Sequence, residues 1–305
     1  MVRRHCFYLL FIIISLFCAH KAPPLRIDRV DPKLTRVIPF YSHQIILNFS
    51  EEIDSLSMNP ENFLIYTEKE TLEIIYVTHG NTPDQIFIFT PTMRPGEYNL
   101  QGRVYDRSGR SGFFKTKFIS STKKDTIPPL PVSYSKGPKS KKFVVEYSEP
   151  MDTSSLKFYI VPAKKIPPIW RNLKTLLLDP GSDSFNYDTT YYLFIQEIKD
   201  LAGNAAPPFI TTITPDSLYK PLFIRGKAVV NDTPLINGIG ILTRTRPLGI
   251  STVEKGEFLF EVRDSSNYYL QILGANCYGA DSVSVVKENL IKLLPGVVNI
   301  DSLIY

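Results

Sequence analysis

Cysteine and histidine are scarce in this chain, with three of the first and four of the second in 305 residues. Cys6 and Cys18 fall in an apolar leader, so Cys277 stands alone in the body and an exported domain has no partner with which to close a disulfide. Past that leader only His20, His43 and His79 remain. A serine or cysteine nucleophile needs a base of that type, but His20 falls in the tether, His43 precedes a strand and His79 sits in the Gly80-Asn81 turn, so each reads as a surface or packing residue. His-x-x-x-His and Cys-x-x-Cys spacings are missing, as is the Asp-x-Asx-x-Asx-Gly order of an EF-hand. The expectation is a protein that is not an enzyme, with no metal and no cofactor. Charge imbalance is missing too: the net +5 falls to +3 once Arg3 and Arg4 of the leader are set aside, too little to imply nucleic acid. The densest basic stretch, Lys136, Lys139, Lys141 and Lys142, is interleaved with Gly, Pro and Ser and reads as a solvated loop.

What the chain has is proline and aromatics: 24 Pro, 19 Phe and 17 Tyr, with 43% hydrophobic residues. That content supplies compact cores and excludes a disordered chain. Many prolines among short aromatic and β-branched runs favour strands and turns over helices. The fold expected is all-β.

Internal repetition organises that fold. Tyr147-Ser148-Glu149-Pro150-Met151-Asp152 is echoed by Phe49-Ser50-Glu51-Glu52-Ile53-Asp54. Tyr192 and Phe194, followed by Asp200, Gly203 and Asn204, are echoed by Tyr98 and Leu100, followed by Asp106, Gly109 and Arg110. Phe63 and Ile65 answer Phe158 and Ile160, and Phe89 answers Leu178, while the offset drifts from 98 to 95 to 89 and back to 94. Unequal loops joining the same strands produce such drift, because loops tolerate insertion. Ile45, Leu47 and Phe49 alternate as one face of a strand, with Phe87 and Phe89 continuing it. Their counterparts are Phe143, Val145 and Tyr147, with Leu176 and Leu178. Residues 120–131, polar and then rich in proline, read as a semi-rigid spacer between the copies.

These residues carry a resemblance. The Ser-Glu-Pro-Met-Asp strand end, the Tyr-x-Phe strand, the closing Asp-Leu-Ala-Gly-Asn and the Asp125-Thr-Ile-Pro128-Pro129 opening resemble the bacterial immunoglobulin-like domain of the surface-layer (SbsA) type. Residues 125–215 resemble that pattern closely, and residues 23–119 resemble it less well, with Glu52, Ile53 and Arg110 in place of Pro, Met and Asn. After Pro215 the pattern changes. Thr252, Gly256, Phe258 and Phe260 form a Thr-x-x-x-Gly-x-Phe-x-Phe strand, similar to the transthyretin-like, carboxypeptidase-regulatory-like β-sandwich over residues 219–305. Gly256 suits the positive φ of a hairpin turn, and 236–242 supplies an intervening strand. The resemblances imply three tandem β-sandwich domains, Ig-like and then prealbumin-like, after an N-terminal signal segment.

Residues 1–19 place Arg3, Arg4 and His5 before a 14-residue apolar run from Cys6 to Ala19, and the signal segment is set at residues 1–18. The run is too short for a transmembrane helix of about 20 residues and matches a secretory signal. Cys18 at its end resembles the lipidated cysteine of a bacterial lipoprotein, although Phe17 stands where a small residue is usual. Ordinary cleavage and an uncleaved anchor remain as alternatives.

Candidate sites are few. Glu51 and Glu149 recur at one place in both copies, where a carboxylate accepts hydrogen bonds from turn amides while Asp54 and Asp152 cap the next turn. A catalytic or calcium role is the rival reading for the two glutamates, and Asp106, Asp200 and Asn204 invite the same calcium reading against turn formation. Trp170 reads as local packing, and Cys277 as a small buried or turn residue. Asn48 and Asn231 open glycosylation sequons by spacing alone. The function expected is a spacer, adhesion or assembly scaffold of the cell envelope, meeting an unnamed envelope protein or glycan and held to the membrane by its N-terminus. The alternatives are a glycan- or protein-binding module using aromatics such as Trp170 or Tyr219, and an accessory part of an extracellular hydrolase.

Overall fold

A computed structural model describes residues 30–138, 140–181, 184–187, 189–215 and 220–304. Among them the helical pieces are the short turns Ser55–Ser57, Pro60–Asn62 and Asp301–Ile304, and everything else is strand, turn or loop. The chain is all-β, and no helix of the described residues is long and apolar enough to cross a membrane. By compactness it divides into two units. One comprises Ile46–Ile88, Glu97–Phe118 and the residues up to Ile38; the other holds Pro39–Ile45, Phe89–Gly96 and everything from Ile119.

The repeat is visible in strand order. In the first copy Leu34–Tyr41, Gln44–Phe49, Gln85–Phe89 and Tyr76–His79 lie in that order in one sheet, with Phe63–Tyr66, Glu97–Tyr105 and Ser111–Ile119 in another. In the second copy Pro131–Tyr134, Phe143–Tyr147, Thr175–Leu178 and Ile169–Asn172 take the same order, and Met151–Val161, Tyr191–Asp200 and Phe209–Thr214 form the facing sheet. Alternation explains the cores. Leu47, Phe49, Ile65, Leu100 and Val104 are buried in the first copy. Phe143, Val145, Leu176 and Leu178 meet Leu193, Ile195 and Ile213 in the second. Phe87 departs from expectation: Ile86 and Ile88 are fully buried and Phe87 only partly, because side chains one residue apart on a strand point to opposite faces. The buried set of that strand is aliphatic, with Phe89 joining it at the strand end.

The segment joining the copies is fastened rather than free. Ser42 N–H donates to the Lys123 carbonyl, and Ser148 N–H to that of Leu130. Leu130 N–H donates to the Ser148 hydroxyl, and Ile127 N–H to the Asp125 carboxylate. The expected spacer is docked along the second copy's opening strand end.

The last part of the chain folds into one eight-stranded sheet. Leu222–Val230 pairs antiparallel with Glu257–Val262 and parallel with Asn289–Pro295, so seven strands close on themselves. Phe258, Phe260 and Val262 point into the core, as their alternation predicts. Gly256 has φ +81° and Lys255 φ 52°, the left-handed pair a two-residue hairpin turn demands. Gly226 has a different reason: a Cβ there would run into the Asn289 carbonyl of the parallel neighbour.

A further core lies where this closed sheet meets the second copy. Tyr159, Val161, Tyr192 and Phe194 cluster with Ile241, Ile250, Ile300 and Ile304, all buried. Polar contacts frame it: Tyr192 donates to the Glu261 carbonyl at 2.9 Å, and Tyr159 donates to Asp301, which also pairs with Lys157.

Candidate functional site

Folding brings together three carboxylates that lie far apart in sequence. Asp125, Glu149 and Asp200 each place an oxygen within 4.8 Å of the others. Asp200 ends the long strand Tyr191–Asp200 and is 2% exposed. Its Oδ1 accepts from the Ala202 and Asn204 amides at 2.8 Å, and its Oδ2 accepts from Asn204 Nδ2 at 2.8 Å. Gly203 at φ +93° permits that tight loop. Asn204 Nδ2 also reaches the Asp125 carbonyl at 3.4 Å, tying linker to loop. Glu149 follows the strand Phe143–Tyr147 and faces both aspartates.

The electrostatic result is a strained acid. Burial, then the charges of Asp200 and Asp125, push the Glu149 carboxyl up to about 7, with Lys174 pulling weakly the other way. Burial lowers the His43 imidazole, opposed by Asp125 and Asp200, and burial aided by Asp125 and Glu149 raises the Tyr41 phenol. Tyr41 and His43 stack at 5.9 Å, and Lys123 lies 4.8 Å from the Tyr41 ring. The cluster therefore exchanges a proton near neutrality. Its oxygens also sit as ligands of one hard cation would, since two oxygens on a shared calcium at about 2.4 Å are up to about 4.8 Å apart.

The first copy answers the same problem differently. Arg110, where the second copy has Asn204, places its guanidinium 3.0 Å from Asp31, and its amide donates to Asp106 at 2.8 Å. A built-in cation stands beside that acid loop; at the matching position the second copy has the Asn204 amide.

Of the other expected sites, Asp54 and Asp152 cap as anticipated, accepting from the Leu56 and Ser154 amides. His43 is buried against Tyr41 and Phe89, and His79 closes the strand Tyr76–His79. Trp170 packs on Tyr147 at 6.5 Å, and Cys277 packs on the last core. Lys136 lies over the Tyr134 ring and Lys142 pairs with Asp179, whereas Lys139 lies outside the described residues. Asn48 is in a strand, and Asn231 at φ 50° is in an exposed turn. Cys18, His20 and Tyr219 also lie outside the described residues. Asp125 was missed because it reads as linker; the signal available was that Asp125 and Asp200 stand at the opening and close of the second copy and Glu149 at the end of a core strand.

No family model matches the chain, and no curated protein does. Among solved structures it is similar to the N-terminal part of the bacterial S-layer protein SbsC, with 14% identity over 60% of this chain and 44% of that one, at a TM-score of 0.29. Domains 1–6 of SbsC give 11% identity over 85% and 41%, at 0.31. The MG0-NIE-MG1 part of Escherichia coli alpha-2-macroglobulin gives 11% over 87% and 96%, at 0.28. The chain spans less than half the length of those S-layer structures.

Proposed function

We propose that this is a non-enzymatic, exported envelope protein whose β modules form a stiff spacer or assembly scaffold, held to the membrane through its N-terminus, with lipidation at Cys18. The observation that carries the reading is the buried apolar joint of Tyr159, Val161, Tyr192 and Phe194 against Ile241, Ile250, Ile300 and Ile304. Contacts between domains of one chain are ordinarily polar and permit relative motion. A joint filled with aromatic and aliphatic side chains suppresses that motion, as a spacer requires.

Calorimetry of the full chain tests this. Residues 125–305 should unfold in one cooperative transition, and Phe194→Ala should split it. Separate unfolding of the second copy and the closed sheet in the wild-type protein, or a defined turnover lost on mutating Glu149 with folding intact, would sink the proposal. The anchor is tested by intact mass of the N-terminal peptide from native membranes: an acylated start at Cys18 supports it, and an unmodified start beyond Cys18 removes it.

A further inference from the structure

Beside the joint lies a cleft of about 220 Å³, between the start of the Tyr191–Asp200 strand and one end of the closed sheet. Its floor is buried and largely apolar, formed by Tyr192, Leu242, Val262 and Tyr268. Three arginines stand on its walls, Arg244 and Arg246 from one hairpin and Arg263 from the end of a neighbouring strand, with the Thr190 hydroxyl alongside. Arg244 is fixed in advance, Nη1 lying 3.4 Å from Asp264 and Nη2 2.9 Å from the Ser266 hydroxyl. Asp264 is itself held by the Ser266 amide and the Tyr268 hydroxyl, both at 2.9 Å. Those bonds, Ser266 foremost and then Tyr268, with Arg244 adding to them, lower its carboxyl to about 2, so the support persists at any ordinary pH. The Arg246 guanidinium has no partner among the described residues and borders the opening.

We infer that this cleft binds a small organic monocarboxylate of single-sugar size, a uronic acid unit being the type, with Arg246 and Arg244 gripping the carboxylate and the floor receiving the ring. Size and charge select that class. The volume falls below the about 300–1,000 Å³ of sites for drug-sized ligands, which leaves room for one ring. Glu261 and Asp264 offset two of the three arginines among the described lining residues, so one positive charge is left over, matching a monoanion better than a phosphate dianion. Guanidinium groups suit the planar fork of a carboxylate, while the Thr190 and Tyr192 hydroxyls are already bonded to Thr214 and Glu261 and leave the floor to the ring.

Calorimetric titration of the full chain with galacturonate tests the inference, with galactose and inorganic phosphate as comparison probes. Galacturonate should bind measurably, galactose should not, and phosphate should bind more weakly. Arg246→Ala should weaken galacturonate about tenfold or more without altering the melting temperature, since the side chain is exposed, and Arg246→Lys should fall between. Equal binding of galactose, stronger binding of phosphate, or unchanged affinity in Arg246→Ala each overturns it.

Discussion

Glu149→Gln isolates the acid cluster, because glutamine keeps the shape of the side chain and removes its titration. Raising a carboxyl from its ordinary 4.5 to about 7 corresponds to at most about 3.4 kcal/mol, at about 1.36 kcal/mol per tenfold in proton affinity. Glu149 is only partly buried, so solvent screening reduces this to about 1–2 kcal/mol. The sign follows from a folded-state value above the unfolded one. Below about 4.5 both states hold the proton and stability is full; as pH rises to about 7 the unfolded state releases it first, and stability falls. The lowered His43 acts in the opposite direction, its stabilisation being lost as pH falls, so the informative quantity is wild type minus variant. Denaturant unfolding at pH 5 and pH 8 should show the variant equal to wild type at the lower pH and about 1–2 kcal/mol more stable at the higher, or about 2–8 °C in Tm. A difference that does not change between those pH values refutes the electrostatic account.

Three further outcomes are expected. Asn204→Arg should bring the first copy's arrangement to the second, lowering the Glu149 titration seen by NMR and raising Tm at pH 8; Arg110→Asn should destabilise the first copy. Phe194→Ala, which empties a fully buried site stacked on Tyr159, should cost about 3–5 kcal/mol in denaturant unfolding. Gly256→Ala should cost about 1–2 kcal/mol by the same measurement, since an alanine pays for φ +81° and its Cβ would crowd Pro234.

The strands were legible because burial on one face writes itself as alternation: 45/47/49, 143/145/147 and 258/260/262 all point inward as read. Phe87 misled because size was taken for burial, and a one-residue slip exchanges faces. The acid cluster was half legible. Glu149 and Asp200 stood out as repeated residues, but their meeting with Asp125 depends on a linker that docks, which composition does not specify. The arginine cleft was not legible at all. Arg244, Arg246 and Arg263 converge only because Asn237–Thr243, Pro247–Glu254 and Glu257–Val262 run side by side, and the wall opposite belongs to the start of the second copy's Tyr191–Asp200 strand.

The parallel closure of the last sheet bears on mechanics. Leu222–Val230 and Asn289–Pro295 run in one direction with five residues of each paired, so a chain entering at Leu222 leaves past Pro295 at the far end of the same seam. Tension applied between those two points loads the seam's hydrogen bonds side by side in shear, where they must yield together. The strands cannot be peeled apart one bond at a time, as a hairpin can. Pulled between those points, the sheet would resist more strongly than its thermodynamic stability suggests.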